Sequence, residues 1–228
     1  MDVELKAVLW DLDGTLVDSE RYWIRTEMEI AAEHGATWGE SEGLAAVGMP
    51  IPQTARLLIE RGVRATVEEL TAELLSRMRD LVRTEGVPYR RGVPELLASL
   101  RDAGVRQGVV TMSFGAYVEA IIEQAEPGVF DLVQTGDSVP RGKPDPAIYL
   151  TAVAALGLEV GHCLAIEDSP SGVGAILAAG VTPVAVPFLV DLPHDDRLVY
   201  LPSLAGVLAE DLHLIHQQWQ AGARPAAR

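Results

Sequence analysis

The chain is poor in several things, and each shortage removes a class of function. Of its 228 residues only Cys163 is cysteine, which leaves no intramolecular disulfide and no cysteine-built metal cluster. Positive charge is short: Lys and Arg total 18 against 33 Asp and Glu, a formal net charge of −15. Such a field disfavours a nucleic-acid backbone or an anionic membrane as partner, so an anionic substrate must be drawn in locally. Lysine is reduced to Lys6 and Lys143 beside sixteen arginines, so a mechanism needing a lysine has two candidates. No apolar stretch is long enough to span a bilayer. Residues 1–6, Met-Asp-Val-Glu-Leu-Lys, carry neither the basic start nor the long apolar core of a signal peptide. The expectation is a cytoplasmic protein without nucleic-acid or membrane partners, a monomer with a dimer as the alternative.

Core-forming material, by contrast, is abundant. Hydrophobic residues make up 48% of the chain, enough for one large domain or a domain with an insertion. The organising stretch runs from Val8 to Glu20. Ala7 to Trp10 is an apolar run of the kind a strand buried on both faces shows, and it ends abruptly on Asp11, Asp13 and a Gly14-Thr15 turn signal. Ligands of open α/β sheets bind just past the carboxyl ends of strands, so two carboxylates two residues apart stand where chemistry would be. Asp11 could attack as a nucleophile and Asp13 could handle a proton. Alone, the same residues also read as a strand closing in an Asx turn.

Downstream, the pattern predicts helices over Glu20–Glu33, Glu40–Ala46, Gln53–Arg61 and Thr66–Arg83, with no strand among them. Thr66-Val67-Glu68-Glu69 has the form of a capping box, and His34 reads as a partner of the first helix's dipole. From Arg91 the character alternates. Helices are expected at Pro94–Ala103, Ala116–Gln124, Pro146–Leu156 and Ser171–Ala179. Strands are expected at Arg106–Met112, Leu132–Thr135, Cys163–Ile166 and Thr182–Val186. Repeated β-α units imply a parallel sheet with helices on both faces. The fold class is therefore α/β: a Rossmann-like three-layer core formed by residues 1–18 and 89–220. An all-α domain is inserted at 19–88, and 221–228 is expected to be a flexible tail. Gly172-Val173-Gly174 opens a helix after an acidic motif and is read as close packing rather than dinucleotide binding.

Three strand ends carry polar groups: Asp11 and Asp13, Thr111 and Ser113, Glu167 and Asp168, with Lys143 in the loop Arg141-Gly142-Lys143-Pro144. Four converging carboxylates would repel one another, and a hard cation such as Mg²⁺ resolves the conflict. The Thr111 hydroxyl and the Lys143 ammonium supply donors to an oxyanion. Together these groups describe phosphoryl transfer through an aspartyl phosphate.

The order Asp11-Leu12-Asp13-Gly14-Thr15, Thr111, Lys143-Pro144, Glu167-Asp168-Ser169 resembles the haloacid dehalogenase superfamily over nearly the whole chain. It is close to the β-phosphoglucomutase-like phosphatase branch, whose inserted helices form a cap. The resemblance implies that Asp11 is the nucleophile and Asp13 the proton carrier. Mg²⁺ would be held by Asp11, the Asp13 carbonyl and Asp168, with Glu167 in support. Substrate and phosphate would be met by Leu12, Thr111, Met112 and Lys143 in the core, and by Glu20, Trp23 and Gly48 in the cap. The expected substrate is a small phosphorylated metabolite such as a sugar phosphate.

The family's other chemistries fit less well. Dehalogenating relatives dispense with the metal and with the aspartate that Asp13 supplies here. A phosphonatase needs a cap lysine, and residues 19–88 contain none. A phosphoglucomutase carries a histidine where this chain has Trp23, and charged residues where it reads Val47-Gly48-Met49-Pro50-Ile51. Hydrolysis is expected, with the mutase and a catalytically silent binding protein on the same fold as alternatives.

Overall fold

A central strand fixes the positions of all the polar strand ends. The computed structural model describes residues 3–113, 115–192 and 194–223, so residues 224–228 of the expected tail lie outside it. Strand β1 (Ala7–Trp10) has no exposed residue, as expected of an apolar run covered on both faces. With β2 (Arg106–Val110), β3 (Leu132–Gln134), β4 (Cys163–Glu167), β5 (Thr182–Ala185) and β6 (Val199–Tyr200) it forms one sheet in the order β3-β2-β1-β4-β5-β6. Every pairing is parallel. The chain leaves β1 for β2 on one side and returns to β4 on the other. That makes β1/β4 the topological switch point, where open α/β sheets bind ligands.

Two compact units divide the chain. The first comprises residues 1–18, 89–114 and 125–228, and the second residues 19–88 and 115–124. The second unit holds α1 (Glu20–Glu33), α2 (Glu40–Ala46), α3 (Ile51–Glu60), α4 (Val67–Glu85) and α6 (Ala116–Gln124). Its core includes Ile30, Ala31, Trp38, Leu58, Leu70 and Leu74. Helix α6 packs with this unit although its sequence lies between two strands of the sheet. The capping box at α4 is present: Glu69 N–H donates to Thr66 Oγ1 at 3.2 Å, and Thr66 N–H donates to Glu69 Oε2 at 2.8 Å. His34 caps the end of α1, where its Nδ1 accepts from Arg64 N–H at 3.2 Å.

In the first unit, α5 (Val93–Asp102) and α9 (Ala209–Gln220) pack together on one face of the sheet. Helices α7 (Ala147–Ala155) and α8 (Pro170–Ala179) cover the other face, packing Ile148 and Ile176 over Ala7, Leu9, Val110 and Ala165. Trp10 Nε1–H donates to Gln107 Oε1 at 3.2 Å, and Gln107 in turn donates to the Leu97 carbonyl of α5 at 3.0 Å. Both buried polar side chains are thereby satisfied. Several boundaries differ from the pattern. Strand β2 stops at Val110, and α3 begins at Ile51 because a proline is tolerated in a first helical turn, where Pro52 stands. Strand β6 and helix α9 were not foreseen. No helix among the described residues is long and apolar enough to cross a membrane.

Candidate active site

Register alone makes the site. Trp10 pairs with Val109 on β2 and with Ile166 on β4, so one residue further along, Asp11, Val110 and Glu167 come level. Lys143 then bridges them. Its Nζ donates to Asp11 Oδ1 at 2.6 Å, to Glu167 Oε1 at 2.7 Å and to the Val110 carbonyl at 3.0 Å. All three ammonium protons are engaged, and the Nζ sits 5.1 Å from the centre of the buried Tyr149 ring. Burial works against the lysine's charge, but the Asp11 and Glu167 carboxylates outweigh it and raise its pKa well above the ordinary value.

Asp11, Glu167 and Asp168 offer carboxylate oxygens that all lie within 4.8 Å of one another, and all three residues are buried. Burial first, then the charge of Glu167, hold the Asp11 pKa well above the usual carboxylate range. The same two causes push Asp168 up to about 7, against the hydrogen bond it accepts from Thr15 Oγ1 at 2.9 Å. One ammonium faces three carboxyl groups away from water, and the raised pKa values of Asp11 and Asp168 register that crowding. This donor set, all hard oxygen, fits a divalent cation.

Glu167 is the most heavily committed of the three. Its Oε2 accepts from Asp168 N–H at 2.9 Å, Ser169 N–H at 2.8 Å and Ser169 Oγ at 2.9 Å, while Oε1 takes Lys143. Ser169 Oγ also accepts from Gly172 N–H at 3.0 Å and so caps α8. Two glycines let the charges approach. A Cβ on Gly14, whose φ is +84°, would lie 2.1 Å from Asp168 Oδ2, and one on Gly172 would lie 1.6 Å from Glu167 Oε1.

Asp13 stands beyond the cluster, its Oδ2 accepting from Ser113 Oγ at 2.5 Å. Thr111 is buried just past β2, with Oγ1 accepting from Ser113 N–H at 2.9 Å. Leu12 is fully buried, and its carbonyl closes the turn by accepting from Leu16 and Val17 N–H. The Met112 side chain lies over Gly136 and Gly142, where its Cε would be 2.8 and 2.4 Å from an added Cβ. Glu20, Trp23 and Gly48 belong to the second unit. Glu20 opens α1, Trp23 packs edge-to-face on Tyr117 at 5.5 Å, and Gly48 turns the chain between α2 and α3 with φ +77°.

Arg90 escaped the sequence reading. It donates to the carbonyls of Gly14 at 2.5 Å, Val186 at 3.2 Å and Pro187 at 3.3 Å, and its guanidinium lies 4.3 Å from the Phe188 ring centre. Its backbone N–H donates to Leu16 O at 2.9 Å beside the Val17–Tyr89 bridge, so it ties the Asp11–Val17 turn to the segment after β5. The sequence signal was a lone arginine pair before Gly92, indistinguishable from fourteen other arginines.

Comparison with known proteins agrees with this geometry. Hexitol phosphatase B of Escherichia coli K12 is 29% identical over 92% of this chain and 97% of its own. Validoxylamine A 7'-phosphate phosphatase of Streptomyces hygroscopicus subsp. limoneus is 32% identical over 91% and 94%. Among solved structures, CbbY from Rhodobacter sphaeroides in complex with phosphate superposes with a TM-score of 0.77 at 26% identity, covering 91% of this chain and 99% of that one. Residues 5–180 match the haloacid dehalogenase-like hydrolases, and the chain is an enzyme of that family.

Proposed function

We propose that the protein is a Mg²⁺-dependent phosphatase that hydrolyses a small phosphorylated metabolite, of the sugar phosphate kind, through a phosphorylated Asp11. The observation that carries this reading is Lys143 shared between Asp11 and Glu167 at the switch point of the sheet. Three phosphate-ester relatives support the substrate class: the two phosphatases above and CbbY of R. sphaeroides, solved with xylulose-1,5-bisphosphate.

In the first half-reaction an Asp11 oxygen attacks phosphorus, the bond from phosphorus to the leaving oxygen breaks, and that oxygen takes a proton from Asp13. In the second, water gives a proton to Asp13 and its oxygen attacks phosphorus. The Asp11–phosphorus bond then breaks, and phosphate leaves. Lys143 and Thr111 hold the phosphoryl oxygens. Of the three bonds Lys143 makes, the longest is to the Val110 carbonyl, and it is the one most readily exchanged for a phosphoryl oxygen. Asp11, the Asp13 carbonyl and Asp168 would hold Mg²⁺, with Glu167 in support, and the ion would neutralise charge on the phosphoryl group when bound. Selection among esters is assigned to Glu20, Trp23 and Gly48 on the family pattern.

The test is phosphate release from a panel of phosphorylated sugars and polyols, with Mg²⁺ or with EDTA. Release should require the metal and fall on the order of a thousandfold or more in Asp11→Asn. Folded protein that releases phosphate from none of them, or an Asp11→Asn variant as active as wild type, overturns the reading.

A further inference from the structure

Ser113 joins the two strand ends that bracket the proposed reaction. Its Oγ–H donates to Asp13 Oδ2 at 2.5 Å across 100 positions of sequence, and its own N–H donates to Thr111 Oγ1 at 2.9 Å. The second bond uses a lone pair of the Thr111 oxygen and leaves the hydroxyl proton directed elsewhere, as a donor to a phosphoryl oxygen must be. The first bond acts on the proton carrier itself.

A carboxyl that gives a proton in one half-reaction and takes it back in the next has two inequivalent oxygens. Only one can face the leaving group. With Oδ2 turned to the Ser113 hydroxyl as its acceptor, Oδ1 is the oxygen that can be turned to the leaving group. The same bond also stops the carboxyl group rotating about its terminal torsion, which is otherwise broad and nearly two-fold. We propose that Ser113 is a positioning residue that fixes which Asp13 oxygen carries the proton and where that proton points. The inference rests on the phosphatase reading and adds to it a residue that acts only through Asp13.

The leaving group provides the test. An alkoxide must be protonated as it departs, whereas p-nitrophenolate leaves without help. For each ester, kcat/KM reports the steps through departure of that group. In Ser113→Ala the ratio of kcat/KM for an alkyl phosphate to that for p-nitrophenyl phosphate should fall about tenfold, part of the 10²–10⁴ that general acid catalysis supplies. Ser113→Thr, which keeps the hydroxyl, should restore the ratio. Because both esters are assayed on one preparation, partial unfolding cancels. If both values fall together, Ser113 serves the fold or the phosphate and the inference is overturned. An unchanged ratio at unchanged rates overturns it as well. Wild-type protein inactive on both esters overturns the phosphatase reading and takes this inference with it.

Discussion

Each unit of the molecule buries carboxylates, and the two do so in opposite ways. In the helical unit Glu27 sits alone, 5% exposed, accepting from Trp38 Nε1–H at 3.1 Å. Burial pushes its pKa up to about 7, against the tryptophan's donation. In the α/β unit Asp168 reaches about the same value, yet it stands among Asp11, Glu167, Lys143 and Thr15. A raised carboxyl is therefore no mark of a site in this protein. Glu27 meets its burial with one neutral donor, whereas the strand-end carboxyl groups gather around a buried ammonium. What distinguishes the candidate site is convergence of opposite charges, not the displacement of any single group.

That contrast can be broken by experiment. Removing the ammonium with Lys143→Ala strands the buried carboxylates, and urea denaturation at neutral pH should show a loss of about 3–5 kcal/mol together with loss of turnover. A loss no larger than that of an ordinary surface change would mean that the cluster is not held by charge. Glu27 sharpens the other side. Its folded pKa of about 7 exceeds the ordinary 4.5, so between those values the folded state binds more protons than the unfolded one. Its contribution is then most favourable below the lower value, declines as pH rises through the window and is flat above it. The total decline is about 3 kcal/mol. Glu27→Gln should remove that decline, and a variant whose stability follows the wild-type pH slope would show that Glu27 is not buried as described. The smallest effect belongs to the exposed end of α4. Thr66→Ala loses the cap and should cost about 1 kcal/mol, seen as a lower urea midpoint with activity per folded molecule retained.

Much of the site was legible because it is local. The Ala7–Trp10 run ending on Asp11 announces a buried strand with carboxylates at its carboxyl end, and the Thr66 capping box is a four-residue signal. Other features have no local signature. Strand β6 is two residues long, too short to show a period. Helix α9 blurs its stripe by exposing Leu214 between Leu212 and Ile215 and by burying His216, whose ring pairs with Thr182 Oγ1 of β5 at 2.8 Å. The bond from Ser113 to Asp13 and the grip of Arg90 on Gly14 exist only once distant strands are in register. Helix α6 follows its strand in sequence like any β-α unit, and only packing against α4 reveals that it belongs with the other helices.

Gly172 lies in the first turn of α8, where alanine would give a firmer helix by roughly 0.5–1 kcal/mol. Its hydrogen is what allows Glu167 to lie against that turn. A methyl group at position 172 would have to push Glu167 off the hydrogen bonds it takes from Lys143, Asp168 and Ser169. For a buried carboxylate that loss outweighs what the firmer helix gains. The chain therefore accepts a weaker first turn in α8 as the condition for a charge at the end of β4, and a single carbon atom added to that turn would be felt at Lys143 and, through it, at Asp11.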